Sequence, residues 1–235
     1  MQFRQQLAKP PDSGWFLPVL ALAALIYGSA ARSDALPSAA PLAQPGELLV
    51  SPADVSGWQE QAFVGHTRYQ AEEGGQGRAL HATAMASASA LCRNVQLDLR
   101  TLPIVRWNWR LDRPPPRTDE RGRGGDDQGL RLSFLYRGGT TPSSILAIQY
   151  VWSQNEPQDA GWPNAFVPNA HEVVARSGPA QPGAWLAERR DLPEDFRAAF
   201  GRAVDRVDAI CVMTDGDQTG ALVEGWYGDI TIQAR

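Results

Sequence analysis

In most segments between about residues 58 and 234, apolar side chains recur at every second position, and Gly, Pro, Asn or Asp break the pattern at short intervals. Successive side chains of an extended chain point to opposite faces, so this alternation marks strands with one buried side. Leu130, Leu132, Phe134 and Tyr136 fall on one face, with Arg131 and Ser133 on the other. Val105, Trp107, Trp109 and Leu111 share a face opposite Arg106, Asn108 and Arg110. Ile230 and Ile232 alternate with Asp229, Thr231 and Gln233. Segments 145–152 and 209–213 are continuously apolar, like central strands covered on both sides. Further strands are expected over 58–63, 67–72, 79–86, 89–95, 172–176, 184–190 and 221–227.

Only one stretch of this body reads as a helix, about 192–200. Asp191 offers a capping carboxylate, Pro193 an early proline and Glu194 the capping-box acid. Leu192, Phe196, Ala199 and Phe200 then keep helical spacing, and Gly201 ends it. Many short strands and one short helix predict an all-β fold, a two-sheet antiparallel, jelly-roll-like sandwich. Two connections are longer than such folds usually need, 112–128 and 153–169.

The start of the chain is different. Arg4 and Lys9 precede an apolar run from Trp15 to Tyr27, and small residues follow. That layout predicts a secretory signal over 1–35. The run is shorter than the ~20 apolar residues a membrane-spanning helix needs, so no stable span is expected after cleavage, although an uncleaved anchor would fit the same residues. Residues 36–48, rich in Ala and Pro, read as a linker, leaving a single domain over 49–235. The expected location is the bacterial periplasm or the exterior.

Charge and composition remove several functions. The net charge of −4 offers no basic excess for phosphates, so no nucleic-acid partner is expected. Lys9 is the only lysine, so once the leader is cleaved the protein has no lysine for Schiff-base chemistry. Cys92 and Cys211 lie in apolar segments; export permits a disulfide, and the apolar surroundings lean towards two buried thiols. No zinc spacing, GxSxG, Walker A or dinucleotide glycine motif appears, and His171-Glu172-Val173-Val174-Ala175 lacks the second His of a zincin. His66 and His81 read as ordinary half-buried side chains.

The candidate chemistry sits on the two long loops and near the C-terminus. Asp119, Asp126 and Asp127 on the first loop could hold a structural calcium ion, though Arg113, Arg117, Arg121 and Arg123 offset the charge and a solvated hairpin fits as well. No other cofactor is expected. Asp215 and Asp217 follow the central strand expected over 209–213. Asp-Gly is a common turn pair, yet acids at a strand end also make sites. Trp162, on the second loop close after Tyr150-Val151-Trp152, suggests an aromatic platform with a polar rim, and plugging of the core is the alternative. If their strands are neighbours, Asn108, Arg110, Asp127 and Arg131 would form a polar face suited to sugar hydroxyls.

An ordered series of residues carries a resemblance. It comprises Trp107-Asn108-Trp109-Arg110, Asp126-Asp127 with Arg131, Tyr150-Val151-Trp152, Trp185, Glu188-Arg189-Arg190-Asp191, Asp195-Phe196, Phe200-Gly201, Met213 to Gly220 and Tyr227-Gly228-Asp229-Ile230. Together these resemble the bacterial exported proteins grouped as domain of unknown function, family 3047, over about residues 48–234. Gln218 stands where the family pattern usually has Asn. The resemblance implies an exported sandwich similar to galactose-binding-like and carbohydrate-module folds. It also draws attention to Asp126, Asp127, Asp215, Asp217 and Tyr227.

The leading expectation is an exported domain that binds a glycan without turning it over. Tyr150 and Trp162 would stack, Asn108, Asp127 and Arg131 would make polar contacts, and Arg110, Trp152 and Tyr227 would complete the site. The alternatives are a polysaccharide hydrolase or lyase using Asp126, Asp127, Asp215 and Asp217, and a structural envelope protein with a calcium-stabilised loop.

Overall fold

The computed structural model describes residues 46–235. The expected leader and most of the expected linker lie outside the described residues. The first sheet contains β1 (Glu47–Val50), β3 (Arg68–Glu73), β4 (Arg78–Met85), β6 (Ile104–Arg113), β11 (Leu186–Asp191) and β13 (Leu222–Gln233). Its order is β11-β6-β13-β4-β3. β4 pairs with residues 222–227 of β13, and β1 takes over the same edge at 230–233. The second sheet contains β2 (Gln59–Val64), β5 (Ala88–Asp98), β7 (Arg131–Arg137), β8 (Ile145–Ser153), β9 (Gly161–Pro163), β10 (Ala170–Ser177) and β12 (Arg206–Asp215). Its order is β2-β5-β12-β7-β8-β10-β9.

The two sheets face each other over the side chains whose alternation the sequence displays. Trp107, Trp109 and Leu111 of β6 meet Leu132 and Phe134 of β7 and Tyr150 and Trp152 of β8. Trp107 stacks on Tyr150 with centroids 5.1 Å apart, and Trp109 lies 6.1 Å from Trp152. Each fully buried side chain of this size contributes about 2–3 kcal/mol of hydrophobic stabilisation. The expected helix is α1 (Leu192–Phe200), which seats Leu192 and Phe196 in that core. Asp191 caps it through the Glu194 amide, and Gly201 leaves it at φ 70°. No helix among the described residues is long and apolar enough to cross a membrane.

Four features differ from the expectation. Strands expected over 221–227 and 229–233 are one strand, β13, with an irregularity between Tyr227 and Ile230 that the alternation shows as a break. β9 forms inside the second long loop, and β10 runs parallel to β8, because the chain crosses over through that loop before it returns. β1 starts at Glu47, within the expected linker, since its backbone finds the free edge of β13. The cysteines are not free thiols. Cys92 and Cys211 lie directly opposite each other on β5 and β12 and form a disulfide. A separation of 119 residues in sequence hides that register.

Candidate functional site

β7 and β12 are central strands of the second sheet, and their outward sides build one site. At Arg131 the alternation that sends Leu130 and Leu132 inward sends the guanidinium outward. Arg131 lies between Met213 of β12 and Val151 of β8. The next row across the sheet reads Cys92, Cys211, Ser133, Gln149, Glu172 and Trp162. Small side chains, Ala90, Ala147, Ala170 and Ala209, pack with the disulfide on this face, and Phe63, Val167 and Met213 are partly buried against them.

Acids gather where this face meets the ends of β7 and β12. Asp126 and Asp127 come just before β7, Asp215 ends β12, and Asp217 sits on the turn leading to β13. The first long loop reaches this position through a tight fold: a Cβ on Gly125 would stand 2.4 Å from the Asp119 carbonyl oxygen, so only glycine fits. Nη2 of Arg131 lies 3.5 Å from Asp126 Oδ2, 3.6 Å from Asp215 Oδ2 and 3.8 Å from Glu172 Oε1. It also donates to the Asp126 carbonyl oxygen at 3.1 Å. Asp215 Oδ1 accepts from the Gln128 amide at 2.8 Å. Asp127 Oδ1 accepts from the Gln218 amide at 3.1 Å, and its Oδ2 accepts from the Thr219 amide at 2.8 Å and the Thr219 hydroxyl at 2.5 Å. One oxygen each from Asp127, Asp215 and Asp217 lies within 4.8 Å of the others. These three could hold a metal ion.

The two long loops close over the cluster from the side. Asn164 donates to Glu172 Oε1 at 2.7 Å. Arg121 forks onto Glu156 at 2.6 and 3.0 Å, and Arg123 donates to the Ala165 carbonyl. Glu120 accepts from the Gln154 amide at 2.8 Å and from the Ser153 hydroxyl.

One guanidinium pairs with three carboxylates, Asp126, Glu172 and Asp215, and the electrostatics reflect it. Burial pushes Glu172 up to about 7, against the pull of Arg131. Burial also holds Asp215 well above the usual carboxylate range and raises Asp126, with Arg131 opposing in each case. Asp217 is raised by burial and by the adjacent Asp127 charge. Burial works against the charge of Arg131 itself, but Glu172, Asp215 and Asp126 outweigh it and hold the guanidinium protonated. Among the described residues, ten buried side-chain polar atoms have no hydrogen-bond partner, and six belong here: Asp126 Oδ1, Gln128 Nε2, Arg131 Nε, Gln149 Oε1, Glu172 Oε2 and Asp217 Oδ1. Buried polar atoms are normally satisfied, so their concentration at one place points to a ligand.

The residues anticipated from sequence fall into separate places. Asp126, Asp127, Asp215, Asp217 and Arg131 converge. Asp119 does not join them, because its side chain turns back to the Arg121 amide in an exposed part of the loop. Asn108 and Arg110 lie on the outer side of the other sheet, since β6 and β7 are not neighbours. There Arg110 pairs with Asp112 at 2.9 Å and covers Trp226 at 4.4 Å. The expected stacking rings are unavailable. Tyr150 and Trp152 are 0 and 2 % exposed in the inter-sheet core, and Trp162 is buried beneath Arg121. Tyr227 is also a core side chain, but its hydroxyl reaches the underside of the site, accepting from the Arg131 amide at 3.2 Å and donating to the Met213 carbonyl at 2.5 Å.

Residues 56–231 match the family model described as Protein of unknown function (DUF3047). The chain belongs to this family. No curated protein matches the sequence. Among solved structures the DUF3047 chain is similar to a family 11 carbohydrate-binding module of a Clostridium thermocellum cellulosomal cellulase, at 8 % identity and TM-score 0.46, over 81 % of this chain and 95 % of that one. It is also similar to the xyloglucanase domain of NopAA from Sinorhizobium fredii, at 7 % and 0.46, over 82 % and 99 %. A third is a cleaved adhesin domain of Lys-gingipain from Porphyromonas gingivalis, at 10 % and 0.43, over 80 % and 98 %. These low likenesses assign no residue of the DUF3047 chain a role.

Sequence reasoning missed Glu172, Gln128, Ser133 and Gln149 as members of the DUF3047 site. Glu172 carries a usable signal, an acid immediately before the apolar run Val173-Val174-Ala175. Gln149 carries a similar one, inside the run from Ile145 to Trp152. Gln128 and Ser133 show nothing in the sequence that separates them from ordinary turn and surface residues.

Proposed function

We propose that this protein is exported and binds a glycan on the outward face of its seven-stranded sheet, without turning it over. The observation that carries the reading is a half-buried amide, Gln149, on the same face as the partly exposed apolar side chains Phe63, Val167 and Met213. A pyranose ring offers both a CH face and hydroxyls that donate and accept. Phe63, Met213 and Val167 supply the apolar contact, and the half-buried Gln149 side chain supplies polar contact beside Ser133. The Cys92–Cys211 disulfide supports export, because such bonds persist in oxidising compartments.

Burial favours binding over catalysis. Asp126, Glu172 and Asp215 are 4, 0 and 2 % exposed, so a polymer cannot bring a glycosidic oxygen within the ~3 Å that proton transfer needs. The hydrolase reading keeps one observation in its favour, the convergence of Asp126, Asp127, Asp215 and Asp217 with raised carboxyls. Affinity electrophoresis and calorimetry against envelope and extracellular polysaccharides test both. Binding to at least one glycan is expected, weakened roughly tenfold, or about 1.4 kcal/mol, by Gln149→Ala or Phe63→Ala. No glycan bound more tightly than millimolar overturns the proposal. Release of reducing or unsaturated ends replaces it with the enzymatic one.

A further inference from the structure

We propose that Asp127, Asp215 and Asp217 bind a single divalent cation of the hard, oxygen-seeking class, calcium foremost. The ligand atoms are carboxylate oxygens only, which suits calcium or magnesium and disfavours thiol- or imidazole-seeking metals. Calcium–oxygen bonds of about 2.3–2.6 Å allow two ligands of one ion to stand up to about 5 Å apart. The mutual limit of 4.8 Å among the three oxygens meets that geometry.

Three aspartates close together do not make a site by themselves. The independent observation is Asp126. It is 4 % exposed, and its Oδ1 meets no donor. Asp126 and Asp215 flank the same Arg131 nitrogen at 3.5 and 3.6 Å, and the Asp126 charge acts on both Asp215 and Asp217. A buried carboxylate oxygen with no donor, in a side chain beside other acids, costs free energy that a nearby cation relieves. Arg131 cannot be that cation for the whole group. Among the described residues neither Asp127 nor Asp217 forms an ion pair, and Asp217 Oδ1 is also without a donor.

The bland alternative is a turn in which Asp127 simply anchors the Gln218–Thr219 backbone. Its three accepted hydrogen bonds fit that role. They do not account for Asp217, whose Oδ2 accepts from the Gln218 side-chain Nε2, nor for Asp126. The same three bonds, with Gln128 on Asp215, fix the carboxylates facing one another instead of letting them swing apart into water. That is preorganisation for an ion.

This site is independent of glycan binding, and its test contains no glycan. The protein is stripped with chelator and titrated with calcium, magnesium or manganese in a calorimeter, with thermal melts alongside. One calcium per chain is expected, bound more tightly than magnesium, with Tm raised by roughly 5–10 °C at a hundredfold excess over Kd. Asp217→Asn should weaken calcium at least tenfold while leaving the metal-free Tm unchanged or higher, because a repelling charge is gone. A purely structural Asp217 would instead lower Tm with and without calcium, and that result overturns the proposal. So does wild-type protein with no heat and no Tm shift at millimolar calcium. Asp119→Asn, in the exposed loop, should leave affinity unchanged; an equal loss there overturns the ligand assignment. Tighter binding of magnesium or manganese than of calcium overturns the choice of ion.

Discussion

Arg131 is the residue on which the acids of the outward face depend. Truncating one partner of a buried ionic group leaves the others uncompensated, typically at a cost of about 3–5 kcal/mol. Arg131→Met should therefore destabilise the protein by that order in urea melts, more than Arg121→Met, whose guanidinium is half exposed. Glu172 gives a pH signature. Its pKa is raised from the ordinary 4.5 to about 7, so the folded protein keeps a proton that the unfolded chain has released across that window. The stability linked to this proton is full below about pH 4.5 and is lost as pH rises towards about 7. In chelator-treated protein, Glu172→Gln should flatten the stability profile over that range, by an amount of up to about 3 kcal/mol. Asp126, Asp127, Asp215 and Asp217 were legible in the sequence because each lies next to the start or end of an apolar strand. Tyr150 and Trp162 misled because a ring carries no mark of which side of its strand is covered.

At the scale of elements, periodicity told strands from helix well. α1 appears over the expected residues, and its cap and terminal glycine act as their types require. The short strands β1 and β9 were invisible, since Glu47–Val50 and Gly161–Pro163 show too few alternations and owe their form to a neighbouring edge. Pairing was equally hidden. Nothing local says that β6 and β7 lie in different sheets, which is why Asn108 and Arg110 were grouped with Arg131. The Cys92–Cys211 link joins adjacent central strands and closes a loop of 119 residues. A chain-entropy argument assigns such a loop about 4–5 kcal/mol, and measured losses for native disulfides run about 2–5 kcal/mol. The double variant Cys92→Ala/Cys211→Ala should lose stability within that range in denaturant melts, with calcium affinity within twofold of the parent where it remains folded.

For the molecule as a whole, the class of fold followed from composition and alternation, and the site followed only from topology. The first loop, the crossover loop and the turn before β13 come from distant parts of the chain, and only the strand order brings them to one place. β13 then sets an orientation. Its first residue, Leu222, follows the Asp217–Thr219 turn, while its last, Gln233, pairs with Glu47 where the described chain begins. Twelve extended residues separate the two by roughly 35 Å. Glu47 and Gln233 thus sit together at one pole, and the acidic cluster lies at the other. Were the Glu47–Gln233 pole held against a surface, the cluster would point away from it, towards material arriving from the far side.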